Sequence, residues 1–152
     1  MLQIRWLVGQ MDKCNEMAEW VYNAFSHEFA NQTLDEWQHA FAAGQVDGSW
    51  VTLIATDNGR LLGGATLASS DLSERPELSP WLACVFVTPA ARRRGLAAKM
   101  IAGICERAKN EGVHSLYLHT HSQADYYSTL GWSVMETFDA WDKKQYLMTK
   151  CL

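Results

Sequence analysis

The sequence predicts a mixed α/β fold, in which a central sheet carries helices on its faces. Three observations support this prediction. Apolar residues recur at helical spacing in some segments and at strand spacing in others, so that helices and strands alternate along the chain. An Asn-Gly pair at residues 58–59 marks a tight hairpin between two apolar strands. A third strand, Trp81 to Val87, is apolar on both alternations and must therefore be covered on both faces.

The first half of the chain predicts a strand, two helices and a hairpin. The first helix rests on apolar residues three and four positions apart from Asp12 to Phe29. The second begins at Thr33, which forms a T-x-x-E capping box with Glu36, and ends near Gly44. In order, the expected elements are strand 4–7, helix 12–29, helix 33–44, strand 49–56 and strand 60–69.

The second half begins with a polar, acidic loop from Ser69 to Pro80. After strand 81–87, Pro89 ends the extended run, and an apolar helical pattern from Leu96 closes at Gly112. The remaining expected elements are strand 114–120, helix 124–130, strand 132–138 and strand 145–151. No repeat and no linker appears, so we expect a single domain over residues 1–152.

Composition limits the function classes. Acidic residues outnumber basic ones by 17 to 13, which argues against a nucleic-acid partner. No apolar run reaches the ~20 residues that cross a membrane, and the amino terminus does not resemble a signal peptide. Four scattered cysteines without a CxxC pair favour reduced thiols, and we expect a cytoplasmic protein. Monomer and homodimer both remain open.

The segment RRRGLA, residues 92–97, combines positive charge with small residues at the start of a helix. The first N–H groups of a helix have no partner within it and carry partial positive charge, so they bind phosphate where the backbone is accessible. Gly95 and Ala97 keep it accessible, and the arginines attract an anion. The alternative is a solvated turn. The Walker and Rossmann patterns are both missing.

These residues also carry a resemblance to a known family. VFVTPAARRRGLAAKMI resembles the acetyl-coenzyme A motif of the GNAT N-acetyltransferases, R/Q-x-x-G-x-G/A, and ADYYSTLGW resembles their second signature. SSDLSERPELSPWLACVFV is similar to a stretch found in a large bacterial subgroup. The resemblance spans about residues 50–150. It implies a mostly antiparallel sheet of six to seven strands flanked by about four helices, and acetyl transfer from acetyl-CoA to a primary amine.

The resemblance also implies roles for individual residues. Val85, Phe86 and Val87 would offer main-chain groups to the pantetheine arm. Tyr127 would contact the cofactor and act as the general acid that protonates the leaving thiolate, with Tyr126 as its competitor. The pyrophosphate would lie against a run of seven residues: Arg92, Arg93, Arg94, Gly95, Leu96, Ala97 and Ala98.

The resemblance implies a glutamate on the central strand as the general base, as in many relatives, but strand 81–87 contains no carboxylate, so the base is not evident. The candidates are three carboxylates in the loop before that strand and two histidines after it: Asp71, Glu74, Glu77, His119 and His121. We select Asp71, and we expect no metal site, because no third ligand accompanies the two histidines. The acidic loop favours a small cationic amine or a basic peptide end as acceptor. Two alternatives stay open, a covalent route through Cys84 and a non-catalytic acyl-CoA sensor.

Overall fold

The computed structural model describes residues 1–29 and 31–152. Within them lies a seven-stranded sheet of order β1-β2-β3-β4-β5-β7-β6, in which only β4 and β5 run parallel. The strands are β1 (Leu2–Trp6), β2 (Trp50–Asp57), β3 (Arg60–Ala68), β4 (Trp81–Val87), β5 (Ser115–Thr120), β6 (Ser133–Ala140) and β7 (Lys143–Cys151). The α-helices are α1 (Cys14–Ala24), α2 (Leu34–Asp47), α3 (Leu96–Asn110) and α4 (Ala124–Thr129). The predicted mixed, mostly antiparallel architecture is confirmed.

Two local sequence signals act as expected. The Thr33 hydroxyl accepts a hydrogen bond from the Glu36 N–H, and the Glu36 carboxylate accepts one from the Thr33 N–H, which completes the capping box. Asn58 and Gly59 both have positive φ and join β2 to β3. Helix α2, however, continues past Gly44. A Cβ on that residue would lie 2.5 Å from the Trp50 Cβ, so this glycine allows close packing and does not end the helix.

The apolar β4 strand is covered on both faces, as its sequence requires. On one side, Met100 and Ile104 of α3 pack in a core with Leu82. On the other side, Met17 and other residues of α1 and α2 pack in a second core, against which Phe86 rests. Within residues 1–29 and 31–152, no helix is long and apolar enough to span a membrane.

A bulge in β4 shapes the middle of the sheet. Cys84 and Val85 stand opposite the single residue Ala65 of β3, and Cys84 has a positive φ of 53°. Among the described residues, β4 and β5 share one ladder pair, Trp81 with Tyr117. Beyond that pair the two parallel strands diverge, because the bulge turns β4 away from its neighbour. The divergence leaves a gap in the sheet that nothing in the local sequence pattern predicts.

Candidate active site

The turn with three arginines, residues 92–94, leads directly into the N-terminus of α3, which is open. Gly95 precedes α3 in a left-handed conformation with φ of 74°, and no side chain caps the first N–H groups of the helix. A Cβ on Gly95 would meet no atom within 4 Å, so the glycine serves the backbone conformation and faces open space. This arrangement fits a phosphate group, which needs both free donors and room.

A cavity of about 250 Å³ lies at this terminus and is lined by Val87, Arg93, Gly95 and Ala97 among others. Arg92 also borders it, but its Nε donates a hydrogen bond to the Val87 carbonyl at 3.0 Å and thereby ties the turn to β4. The Leu96 side chain is buried in the core, which leaves only its backbone available to a ligand. Arg94 and Ala98, both predicted to bind the cofactor, are not among the lining residues.

A second cavity, of about 160 Å³, occupies the gap between β4 and β5. We call it the strand-gap cavity. Val85, Asp71, His119 and Tyr127 line it, so residues from β4, the Ser69–Pro80 loop, β5 and α4 converge there. Phe86 lies outside this lining, and its ring packs against Trp20 at 5.9 Å. The gap therefore brings both predicted catalytic residues, Asp71 and Tyr127, into one space.

Tyr127 lies half-buried at the wall of this cavity. Burial, and to a lesser degree its neighbours Tyr126 and Cys84, raises the pKa of Tyr127 above the ordinary value of a phenol. The hydroxyl therefore keeps its proton at physiological pH and can donate it or a hydrogen bond. Tyr126 is exposed and borders the cavity at the α3 terminus.

Asp71 and His119 form a buried pair. The His119 Nε2 lies 3.0 Å from an Asp71 carboxylate oxygen, and the two side chains are 6% and 15% exposed. The ring nitrogen is not aligned for a hydrogen bond and has no other partner among the described residues. Burial alone lowers the pKa of His119, but the adjacent Asp71 and Glu28 carboxylates outweigh it and raise the pKa. Burial raises the pKa of Asp71, against the opposing effect of His119.

Glu28 completes this group and was not predicted from the sequence. It lies in a 3₁₀ turn over Ser26–Phe29 that follows α1. Burial raises the pKa of its carboxyl to about 7. Neither spacing nor a motif connects Glu28 to the Asp71 loop, since only the packing of α1 against the sheet brings them together.

One ligand atom each from Glu28, Asp71 and His119 lies within 4.8 Å of the others. The sequence offered no third ligand beside the two histidines, whereas in the structure two distant carboxylates join His119. The expectation of no metal stays a prediction. His121 is not part of this cluster. A nitrogen and two carboxylate oxygens could hold a divalent cation. The same atoms also suit the binding and deprotonation of an ammonium group.

Glu77, another candidate from the acidic loop, lies apart from the Glu28, Asp71 and His119 cluster. The Glu77 carboxylate accepts a hydrogen bond from Arg75 at 2.7 Å and lines neither cavity described so far. Arg75 also pairs with Glu136. The Cys84 thiol borders the strand-gap cavity, but burial, reinforced by Asp71 and Glu28, raises its pKa well above the ordinary value. The thiolate that a covalent route needs is thus strongly disfavoured.

A third cavity, of about 350 Å³, shares Phe25, Glu28, Asp71 and Cys84 with the strand-gap cavity. We call it the aromatic cavity, because five aromatic rings line it. They belong to Phe25, Phe29, Trp37, Trp50 and Trp141. Glu74 also lines this cavity.

Comparison with known proteins decides the family. The family model described as the acetyltransferase (GNAT) family matches residues 14–132. The chain belongs to the GNAT acetyltransferase family. This confirms the resemblance of the two signature segments. No match was found among curated protein sequences.

Solved structures of GNAT proteins share the fold along nearly the whole chain. The GNAT acetyltransferase from Streptococcus pneumoniae is 17% identical, with a TM-score of 0.74 and coverage of 100% of this chain and 99% of that one. A putative acetyltransferase from Salmonella typhimurium, solved with its cofactor acetyl-CoA, is 20% identical, with a TM-score of 0.73 and coverage of 99% and 94%. The PaiA N-acetyltransferase from Thermoplasma acidophilum, solved with coenzyme A, is 17% identical, with a TM-score of 0.71 and coverage of 100% and 99%.

Proposed function

We propose that this GNAT protein transfers the acetyl group of acetyl-CoA to a primary amine by direct attack in a ternary complex. One observation carries the proposal. The strand-gap cavity is lined by Tyr127, which would act as the acid, and by Asp71 and His119, which would act as the base, and β4 leads from there to an open helix terminus. A thioester with a diphosphate tail needs both features.

The residues that would hold acetyl-CoA follow from the two cavities. The first N–H groups of α3 and the Arg93 side chain would bind the pyrophosphate. The backbone of Val85 and Val87 would hydrogen-bond the pantetheine arm in the gap, as an added strand would. Arg92 would keep the turn in place through its bond to the Val87 carbonyl.

Starting from an ammonium ion, the nitrogen must lose two protons and the departing sulfur must gain one. An amine arrives mostly as an ammonium ion, whose pKa is near 10.4 for a lysine side chain and about 8 for an α-amino group. The Asp71 and His119 pair takes a proton from it, and the nitrogen lone pair then attacks the thioester carbonyl. The C–S bond breaks as the tetrahedral intermediate collapses, and Tyr127 donates its proton to the departing sulfur. The nitrogen releases its second proton in the same stage, which restores the Tyr127 hydroxyl. The raised pKa of the Cys84 thiol supports direct transfer over an acetyl-cysteine intermediate.

A test separates an enzyme from a non-catalytic acyl-CoA sensor. Thiol release from acetyl-CoA is followed with a panel of primary amines, and acetyl-CoA affinity is measured by calorimetry. Asp71→Asn should lower kcat/KM by about 10²-fold or more, because it removes the carboxylate of the pair that accepts the proton, with the affinity for acetyl-CoA unchanged. Glu77→Gln changes a carboxylate of the same loop that is paired with Arg75, and it should match the wild type.

Two outcomes would contradict the proposal. Tight binding of acetyl-CoA without thiol release with any amine would indicate a sensor. Equal losses of kcat/KM in Asp71→Asn and Glu77→Gln would show that Asp71 has no specific part in the reaction.

The same assays with excess chelator should give unchanged rates, because the mechanism needs no metal in the Glu28, Asp71 and His119 cluster.

A further inference from the structure

The aromatic cavity adjoins the reactive groups directly. It shares Glu28 and Asp71 with the strand-gap cavity, so the carboxylates lie at the junction of the two spaces. The His119 side chain at this junction is 6% exposed, and its Nε2 has no aligned partner among the described residues. An amine nitrogen held at the junction would meet both the carboxylates and this ring nitrogen, and the rest of the molecule would extend into the aromatic cavity.

The walls of the aromatic cavity are fixed by their own packing. The Phe29 and Trp37 rings lie 4.6 Å apart, and Trp37 meets Trp50 edge-on at 5.7 Å. The Trp37 indole N–H donates a hydrogen bond to the Ala18 carbonyl at 3.0 Å, which fixes that ring on α1. Rings locked in this way present a preformed apolar surface that suits a flat group.

Trp141 forms a partly exposed part of the boundary. It lies in the β6–β7 turn, is 36% exposed, and stacks on the His119 ring at 5.7 Å with 29° between the planes. Its edge also meets His27 at 5.6 Å. The indole therefore lines the aromatic cavity and also contacts the His119 ring.

The charge around the aromatic cavity has one sign. Its ionisable lining groups are the carboxyls of Glu28, Asp71 and Glu74 and the thiol of Cys84, and among the described residues no lysine or arginine lines it. The nearby Arg75 is already paired with Glu77 and Glu136. A carboxylate on the ligand would thus find no cation in this lining, and the nearby His119 already faces the Asp71 carboxylate. A cation, by contrast, gains from both the acids and the ring faces. A second ammonium deep among the rings would lose its hydration without a partner.

We propose that the aromatic cavity is the acceptor site and that it selects a primary monoamine with a flat apolar body and no anionic group. This inference rests on the proposed acetyl transfer, which it narrows from cationic amines in general to one chemical class. It disfavours polyamines and free amino acids as acceptors.

Three probes test the proposed class. 2-Phenylethylamine has the predicted features, phenylalanine adds a carboxylate to the same skeleton, and 1,4-diaminobutane lacks the apolar body. Binding of each amine to the protein saturated with coenzyme A is measured by calorimetry, and turnover with acetyl-CoA is measured by thiol release. We expect 2-phenylethylamine to exceed both other amines at least tenfold in affinity and in kcat/KM.

Variants at Trp141 tie the preference to this cavity. Trp141→Ser should lower the ratio of kcat/KM for 2-phenylethylamine over 1,4-diaminobutane by about tenfold, since a stacking surface is lost. Trp141→Phe should restore most of the ratio. Val134→Ala, at an exposed position of β6, should leave it unchanged. The ratio is used because a general loss of stability would lower both rates together.

The outcomes separate this inference from the proposed function. Equal use of phenylalanine or 1,4-diaminobutane overturns the inference, while the transfer itself stands. Binding of 2-phenylethylamine with no thiol release from any amine supports the site and overturns the proposed function, whereas binding without acetylation while other amines are acetylated overturns the inference. Failure of 2-phenylethylamine to bind overturns the inference, and thiol release with the other amines then decides the proposed function alone.

Discussion

At the scale of single residues, two tyrosines that are adjacent in sequence lie in different surroundings and so differ in what they can do chemically. Tyr126 and Tyr127 are adjacent, with ring centroids 5.5 Å apart, yet Tyr127 lines the strand-gap cavity and Tyr126 the terminus of α3. The sequence signature favours Tyr127 because it stands four residues before Gly131. The structure supports the same choice, since of these two tyrosines only Tyr127 shares a cavity with Asp71 and His119.

Tyr127→Phe removes the hydroxyl and keeps the ring. We expect turnover to fall by about 10²-fold or more, with unchanged affinity for acetyl-CoA, because only the proton donor is lost. Tyr126→Phe is the matched control and should turn over close to the wild-type rate. Steady-state thiol release and calorimetry check both variants. Wild-type turnover in Tyr127→Phe together with an inactive Tyr126→Phe would show that the acid is Tyr126 and not Tyr127.

The pH profile should report the Asp71 and His119 pair. His119 accepts a proton only when neutral, and the carboxylates raise its pKa, so kcat/KM should rise with pH through a midpoint above the ordinary histidine value of 6.5. Asp71→Asn removes the carboxylate that does most to raise the pKa of His119. Burial, which lowers this pKa, then has a larger net effect than in the wild type. The midpoint of the remaining activity should therefore move to lower pH. An unmoved midpoint would show that His119 does not set the profile.

Glu28 should weaken the fold as it ionises. The folded protein raises the pKa of Glu28 from 4.5 to about 7, so the folded state binds this proton more tightly than the unfolded chain. Stability is therefore lost as the pH rises from about 4.5 to about 7, with an upper bound of about 3 kcal/mol. Glu28→Gln cannot ionise and escapes that loss.

Urea unfolding at pH 5 and pH 8 measures the effect. Relative to the wild type, Glu28→Gln should gain about 2 kcal/mol more in the free energy of unfolding at pH 8 than at pH 5. Glu77→Gln, with an exposed carboxylate paired with Arg75, should show no such gain. The same difference at both pH values for Glu28→Gln would contradict the buried, proton-holding environment.

At the scale of elements, the sequence predicted what local signals encode. The capping box at Thr33 and the Asn58-Gly59 hairpin formed as expected, because a few neighbouring residues determine them. The β6–β7 turn was not predicted, since Trp141 and Asp142 both adopt positive φ without the usual Asn or Gly signal. The β4 bulge was missed for a related reason: it depends on pairing with β3 across the sheet.

The cluster of Glu28, Asp71 and His119 shows that the site, too, can be predicted only in part from local sequence signals. Tyr127 was selected from a family resemblance and Asp71 from its place in the acidic loop before β4, and both line the strand-gap cavity. Glu28 could not be found, because its proximity to Asp71 arises from the packing of α1 and its following turn. Glu77 was grouped with Asp71 by its position in an acidic loop, but its pairing with Arg75 takes it away from the cavity. Spacing along a loop does not determine which side chains turn inward.

The α3 terminus carries a prediction that belongs to the helix. Gly95→Asp should abolish acetyl-CoA binding, because it places negative charge where the diphosphate would meet the free N–H groups. Gly112, just past the other end of α3, also has positive φ and no atom within 4 Å of an added Cβ. Gly112→Asp therefore imposes similar backbone strain without approaching the phosphate site. Calorimetry should show normal affinity in Gly112→Asp, and normal affinity in a folded Gly95→Asp would refute the phosphate site.

At the scale of the whole molecule, the sheet consists of two parts joined at a weak line. Strands β1 to β4 form one antiparallel part and β5 to β7 the other. Among the described residues, the single ladder pair Trp81 with Tyr117 connects them through strand pairing. Leu82 of β4 and Leu116 of β5 belong to the same core as α3, so side-chain packing holds the two parts together where backbone pairing ends.

A ligand that occupies the gap should therefore join the two parts. Coenzyme A at 100 times its dissociation constant should raise the free energy of unfolding by about 2.7 kcal/mol. Beyond that global effect, amide hydrogen exchange should slow locally in the segments 84–87 of β4 and 118–120 of β5, since the pantetheine arm would replace water against their backbone. The β1 segment, at the far edge of the sheet, should show only the global change. Exchange measured by mass spectrometry with and without coenzyme A tests this. Uniform slowing of all strands, with no excess at the gap, would mean that the ligand stabilises the protein without binding between β4 and β5.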